Sequence, residues 1–132
     1  MGIEVATRLS EEIARYLDLN TRQIEITTAN MANIDTPGYR AVGMDFEAEM
    51  RRAMAGVDAE DGSDAAGGVL AEAGAPHLAP VAGLIVRPDG NNVSMDRESL
   101  QLAEAQLKFK TGVALLKREY TRVMDAIHAD GH

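Results

Sequence analysis

The chain contains no cysteine and no tryptophan, and aromatic residues make up only 4% of it. Without thiols there are no disulfides, no thiolate metal sites and no cysteine nucleophile. The compartment stays open, because a cysteine-free chain suits either redox environment. Two phenylalanines and three tyrosines among 132 residues are too few to centre a large core, so one domain at most is expected and a sizeable self-contained globule is not. A long apolar run is also missing. The opening Met1-Gly2-Ile3-Glu4-Val5-Ala6-Thr7-Arg8 has no basic stretch and no unbroken hydrophobic segment, which argues against a cleaved secretory peptide and against a membrane span. Thr7 falls one place beyond the position a myristoylation signal needs, so no direct lipid anchoring is expected.

Basic charge is scarce where a polyanion would need it. The formal net charge of −8 divides into about −2 for residues 1–40, about −6 for 41–93 and balance over 94–132. Nucleic acid and anionic membrane surfaces both require a basic stripe, so both are disfavoured as partners. Catalytic constellations are missing too. His77, His128 and His132 read as solvated surface side chains, and no metal or cofactor is expected. Carboxylates are plentiful, but paired catalytic acids need an enclosed cleft to move one pKa, and two exposed helices offer none. There is no Walker A loop, dinucleotide fingerprint or Gly-x-Ser-x-Gly elbow. An enzyme is not expected.

What the chain does contain is helical periodicity. Ile3, Ala6, Ser10, Ile13, Leu17, Asn20, Ile24, Thr27, Met31 and Ile34 recur at spacings of three and four. Glu4, Glu11, Asp18 and Glu25 lie seven apart, and Arg8, Arg15 and Arg22 each follow an acid by four, the favourable order for helical ion pairs. A second apolar line, Val5, Leu9, Tyr16, Leu19 and Ile26, runs beside the first, so this helix should meet several neighbours, chiefly from other subunits. A second long helix is expected after Ser94, an N-cap with Asp96 and Glu98 in its first turn. Its seam reads Leu102, Gln106, Phe109, Val113, Leu116, Tyr120, Val123 and Ile127. The two helices match in length and should pair antiparallel. Gly112, Asn20 and Thr27 interrupt the seams and make the lone hairpin marginal.

Between the helices, residues 56–83 are mostly Ala, Gly, Asp and Glu, a composition that cannot offset its ordering entropy by burial. Phe46 and Met50 lie four apart on one face if their stretch is helical. Leu84-Ile85-Val86 before Asp89-Gly90 predicts a short strand and turn. The expected fold is therefore mainly α: an N-terminal helix within 1–36 and a C-terminal helix within 94–130, paired as an antiparallel coiled-coil hairpin. Residues 37–93 form a flexible or irregular middle with little β structure.

The first helix is brought to a specified stop at Ala29-Asn30-Met31-Ala32-Asn33-Ile34-Asp35-Thr36-Pro37-Gly38-Tyr39-Arg40. Pro37 turns Thr36 away from the α conformation, and Pro followed by Gly predicts a type II turn over Thr36–Tyr39. Asn30, Asn33 and Asp35 are placed to bond the carbonyls and amides a helix end leaves unpartnered.

The spacing Asn30-x-x-Asn33-x-x-Thr36-Pro37-Gly38-Tyr39-Arg40 after a long N-terminal helix resembles the signature of the bacterial flagellar rod and hook family. The short length, Asp45-Phe46 and the run Asp89-Gly90-Asn91-Asn92-Val93-Ser94-Met95-Asp96-Arg97-Glu98 look most like a proximal rod member. Hook, distal rod and other proximal rod proteins usually end in a Gln-Arg-x-Tyr-x-x-Asn run; here Lys117-Arg118-Glu119-Tyr120-Thr121-Arg122 stands instead.

The resemblance implies a structural subunit of the rod, exported by the flagellar type III apparatus without a cleaved signal and placed in the basal body on the periplasmic side of the inner membrane. Its terminal helices would form the inner coiled-coil layer of a helical tube. Partners would be other copies, other rod proteins, and the membrane-ring adaptor or export gate. By the same resemblance, Phe46 and Met50 match an export-gate recognition spacing; a packing contact fits them equally. The alternative reading is an export-linked helical chaperone or adaptor that binds secreted subunits without polymerising.

Overall fold

In the computed structural model, which describes residues 2–60 and 75–130, the elements run α1 (Gly2–Ala32), β1 (Val42–Met44), α2 (Phe46–Glu60), β2 (Leu78–Pro80) and α3 (Met95–Asp130). The terminal helices, 31 and 36 residues long, reach about 46 and 54 Å at 1.5 Å per residue. α3 starts where the sequence says: Arg97 N donates to Ser94 Oγ at 3.4 Å and Glu98 N to the Ser94 carbonyl at 2.9 Å. α2 is capped in the same manner, with Ala48 N donating to Asp45 Oδ1 at 3.1 Å.

α1 and α3 pair antiparallel. Gly112 faces Tyr16 and Leu17, and further along, Leu9 and Ile13 line a shallow groove of about 260 Å³ with Leu115, Arg118, Glu119 and Arg122. The fold is mainly helical with a single two-stranded ribbon among the described residues, as the periodicity predicts.

The contact line on α3 is shifted from the expected seam. Leu102, Val113, Leu116 and Val123 are half-buried, but Phe109, Tyr120 (65% exposed) and Ile127 (53% exposed) face outward. Ala105 and Glu119 are buried in their place, and so is Gly112. The reason lies at Gly112. A Cβ there would stand 2.7 Å from Leu17 Cδ2 and 3.2 Å from Tyr16 Cδ1, so the glycine is a close-approach point between helices and not a mere interruption.

On α1, Ile13 is buried and Leu17, Ile24, Met31 and Ile34 are half-buried. Leu19 and Ile26, from the second apolar line, are buried within this chain, because α2 and β1 pack on that side. Leu19 and Ile26 of that line thus find partners within the chain. Arg22 bonds Glu25 at 3.1 Å, reversing the anticipated acid-before-base order.

The middle is more ordered than its composition predicts. α2 runs to Glu60 and β2 pairs with β1 in the register Val42↔Pro80, Gly43↔Ala79, Met44↔Leu78; residues 61–74 of the expected unstructured stretch lie outside the described residues. Leu84-Ile85-Val86 is not a strand, and Ile85 is 88% exposed. A strand needs a partner, and residues 77–81 have already taken β1. Val81 N donates to the Ala41 carbonyl at 3.1 Å, and Glu49 Oε1 accepts from His77 N at 3.0 Å. The turn that follows is as expected, with Gly90 N donating to the Arg87 carbonyl at 2.8 Å.

The core is polar to an unusual degree. Its buried apolar side chains are Ile13, Leu19, Ile26, Ala41, Val93 and Ala105, whereas the largest fully buried ones are Glu98, Asn20, Asn30, Asn91 and Thr27. Asn20 Oδ1 and Glu98 Oε2 find no hydrogen-bond partner among the described residues. Such groups add little net stability and cost free energy when unpaired.

Two outcomes follow from this packing. Gly112→Leu should lower the stability of the helix pair by about 1–3 kcal/mol through overpacking, whereas Gly112→Ala should be near neutral because a helix propensity gain of about 1 kcal/mol offsets the crowding of Leu17. Urea midpoints followed by circular dichroism distinguish the two. The second concerns Glu49. Burial alone would raise its carboxyl, but hydrogen bonds from Arg52 and from the His77 amide, with the Arg52 charge, outweigh it and hold the group below the usual carboxylate range. Its contribution is complete above the unfolded value of about 4.5 and is lost as pH falls through the lower folded value. Acid titration of stability should therefore show a loss on that limb that Glu49→Gln flattens.

Candidate functional site

The end of α1 and the approach to α3 meet in a junction built from asparagine side chains. Asn30 behaves as a strand neighbour: its Nδ2 donates to the Val42 carbonyl at 2.8 Å, and its Oδ1 accepts from Val42 N at 3.2 Å and from the Tyr39 hydroxyl at 3.0 Å. Only a carboxamide presents donor and acceptor side by side; aspartate lacks the donor. Asn30 is wholly buried, so these bonds are shielded from competing water.

Asn33 closes the helix as its position predicts. Its Nδ2 donates to the Ala29 carbonyl at 2.8 Å and its Oδ1 accepts from Thr36 Oγ1 at 3.0 Å. The turn at Thr36-Pro37-Gly38-Tyr39 then forms, with Tyr39 N donating to the Thr36 carbonyl at 3.2 Å and Gly38 at φ +76°. Pro37 and Asp35 are exposed. Asn30, assigned from sequence to the helix end, instead reaches forward to β1.

The carbonyls of the turn that follows α1 are bonded from a loop more than fifty residues away. Asn91 Nδ2 donates to the carbonyls of Asn33 at 2.8 Å and Thr36 at 2.9 Å, and its Oδ1 accepts from Val93 N at 2.8 Å. The Arg87 guanidinium donates to the Ile34 carbonyl. Asn92 Oδ1 accepts from Ala41 N at 2.6 Å, Asn92 N donates to the Tyr39 carbonyl at 3.2 Å, and Gly38 N donates to the Asp89 carbonyl at 2.8 Å. Arg87, Asn91 and Asn92 were not singled out from sequence as partners of the turn. The available signal was two adjacent asparagines between an Asp-Gly turn and a helix N-cap, where short amides bond backbone.

Phe46 and Met50 do share a helical face at the start of α2. The Phe46 ring meets Tyr16 edge to face, centroids 5.7 Å apart, and Lys108 Nζ lies 4.4 Å from its centroid. It thereby ties α2 to both long helices. Met50, one turn on, is half-buried.

Among the described residues no group of His, Asp and Glu is placed to hold a metal ion, and no helix is long and apolar enough to cross a membrane. What the junction does chemically is fix geometry: it sets where α1 stops and how the chain departs from it. Asn30→Ala should cost about 2–3 kcal/mol, because it strands both backbone groups of Val42 and the Tyr39 hydroxyl, whereas Tyr39→Phe should cost about 1 kcal/mol. Gly38→Val should cost about 1–2 kcal/mol by forcing a β-branched residue to positive φ. Denaturant midpoints of the three variants, compared with the parent, give the order directly.

Part of this site lies within the segment that a family model matches. That model, described as flagella basal body rod protein, matches residues 17–40, the second half of α1 and the turn. The chain is 32% identical to the flagellar basal body rod protein FlgB of Salmonella typhimurium strain LT2, with 95% of this chain and 94% of that protein covered. It is 36% identical to FlgB of Cereibacter sphaeroides, covering 89% and 91%, and 31% identical to FlgB of Escherichia coli K12, covering 96% of each. With identity at this level over nearly the whole length, the chain belongs to the flagellar basal body rod protein family of FlgB.

Proposed function

We propose that the chain is a structural subunit of the proximal rod of the flagellar basal body, exported by the flagellar type III apparatus and folding as it assembles. It would link the membrane ring and export gate to the rest of the rod. The observation that carries this reading is the pairing of a polar core with apolar surface left open on α3: Tyr120, Met124 and Ile127 are more than half exposed. A solitary chain gains little from such a core, and packing beside other copies and other rod proteins would bury the stripe and stabilise the helices by mass action. The assembly residues are then Ile13, Leu17, Ile24, Met31 and Ile34 with Leu102, Val113, Leu116 and Val123, and Phe109, Tyr120 and Ile127 turned toward neighbours. Residues 37–93 would provide the contact-making middle between terminal helices at 1–36 and 94–130.

The export reading of Phe46 is confined to the unfolded chain, since the folded one occupies the ring with Tyr16 and Lys108. Phe46→Ala should therefore reduce secretion when measured before assembly, and undiminished secretion would leave the residue with a packing role alone. For the function as a whole, the tagged protein should co-purify with basal bodies and its deletion should abolish motility. Recovery only as a soluble complex with secreted subunits would favour a chaperone or adaptor.

A further inference from the structure

The peptide unit between Asp89 and Gly90 is bonded at both of its ends. Its carbonyl accepts from Gly38 N at 2.8 Å and its N–H donates to the Arg87 carbonyl at 2.8 Å. The Asp89 side chain is held as well, its Oδ1 accepting from Asn91 N at 3.0 Å with Arg87 Nε 3.9 Å away. Glycine at position 90 is required, for φ is +87° and a Cβ would stand 3.3 Å from Gly38 Cα. The junction thus sets an aspartate, its carboxylate accepting from Asn91 N, directly before a required glycine. In that dipeptide the backbone nitrogen reaches the preceding carboxyl most easily, because no side chain stands in the way.

We propose that Asp89-Gly90 is a spontaneous isomerisation site, kept unreactive by the closed junction and released when the junction opens. In the reaction the Gly90 nitrogen gives up its proton to a water or buffer base and attacks Asp89 Cγ. A C–N bond forms, the hydroxyl of the protonated carboxyl leaves as water after taking back a proton from that base, and a five-membered succinimide results. Water then adds back. Cleavage of the bond between that nitrogen and the Asp89 main-chain carbonyl leaves the backbone running through Cβ as isoaspartate; cleavage of the new bond restores aspartate. Nothing is oxidised or reduced, and the composition is unchanged.

In the closed junction the proton that must leave is bonded to Arg87, and turning the peptide plane toward attack breaks the bond to Gly38. Isoaspartate places an extra methylene in the main chain at the point where Gly90 packs on Gly38, so the Gly38 and Arg87 bonds cannot both re-form. A subunit that waits with its junction open loses the ability to close it. The altered residue is a substrate for the class of enzyme that methylates isoaspartyl carboxylates.

The test uses the full chain at neutral pH in a series from trimethylamine N-oxide through plain buffer to concentrated urea, which moves the folding equilibrium without changing the sequence. Helicity is followed by circular dichroism and isoaspartate at position 89 by enzymatic methylation and peptide mapping. The rate should track the unfolded fraction and fall about tenfold or more at the folded end, as expected for reaction through an open state. Asn91→Ala, which keeps the Asp-Gly pair but removes the side-chain bonds to Asn33, Thr36 and Val93, should react faster than the parent in the same osmolyte, and Asp89→Glu should abolish the product. Equal rates at both ends of the series, or an Asn91→Ala rate equal to the parent's, would overturn the proposal.

Discussion

The carboxamide of Asn30 paired with both backbone groups of Val42 is the contact on which the rest of the arrangement depends. Asn33 and the Pro-Gly turn end the 31-residue helix locally, but a three-residue strand beside it has no intrinsic reason to form. The Asn30 side chain supplies a substitute strand edge, which fixes β1 against α1. β1 then recruits β2, and the Glu49 carboxylate secures the segment that leads into it. The opposite side of the junction is held by Asn91, which satisfies the carbonyls of Asn33 and Thr36 in the turn that follows α1.

This arrangement distributes stability unevenly. Buried polar groups midway along α1 bond within their own helix, Asn20 to the Tyr16 carbonyl and Gln23 to Thr27 Oγ1, and they bury little apolar area. Meanwhile, the outward face of α3 keeps large apolar side chains in water. The proposed assembly would cover that face, adding apolar burial that the polar core of the chain does not supply. Gly112 lets α3 approach Leu17 closely, while Tyr120 and Ile127 lie on the surface.

The long helices, the stop at Asn33, the turn at Gly38 and the N-cap at Ser94 were legible because each rests on local rules that act within a few residues. What was not legible depended on contacts across the chain. Leu84-Ile85-Val86 has the better strand composition, yet Leu78–Pro80 became the strand, because a partner and not propensity decides pairing. The α3 seam was displaced because periodicity locates an apolar stripe without saying which edge of it a glycine will draw inward. The roles of Asn91 and Asn92 were not legible for a similar reason: the backbone groups they hold across the chain lie more than fifty positions upstream, and nothing in their own neighbourhood names them.

Amide hydrogen exchange tests the primacy of the junction most directly. The amides of Gly38, Ala41, Val42 and Val93 donate to groups of the junction and belong to no long helix, so they should exchange as one slow unit, at rates matching the middle of α1. Exchange of these four at the rate of open loop amides, while the centres of α1 and α3 stay protected, would mean that the helix pair stands without the junction, and would contradict it.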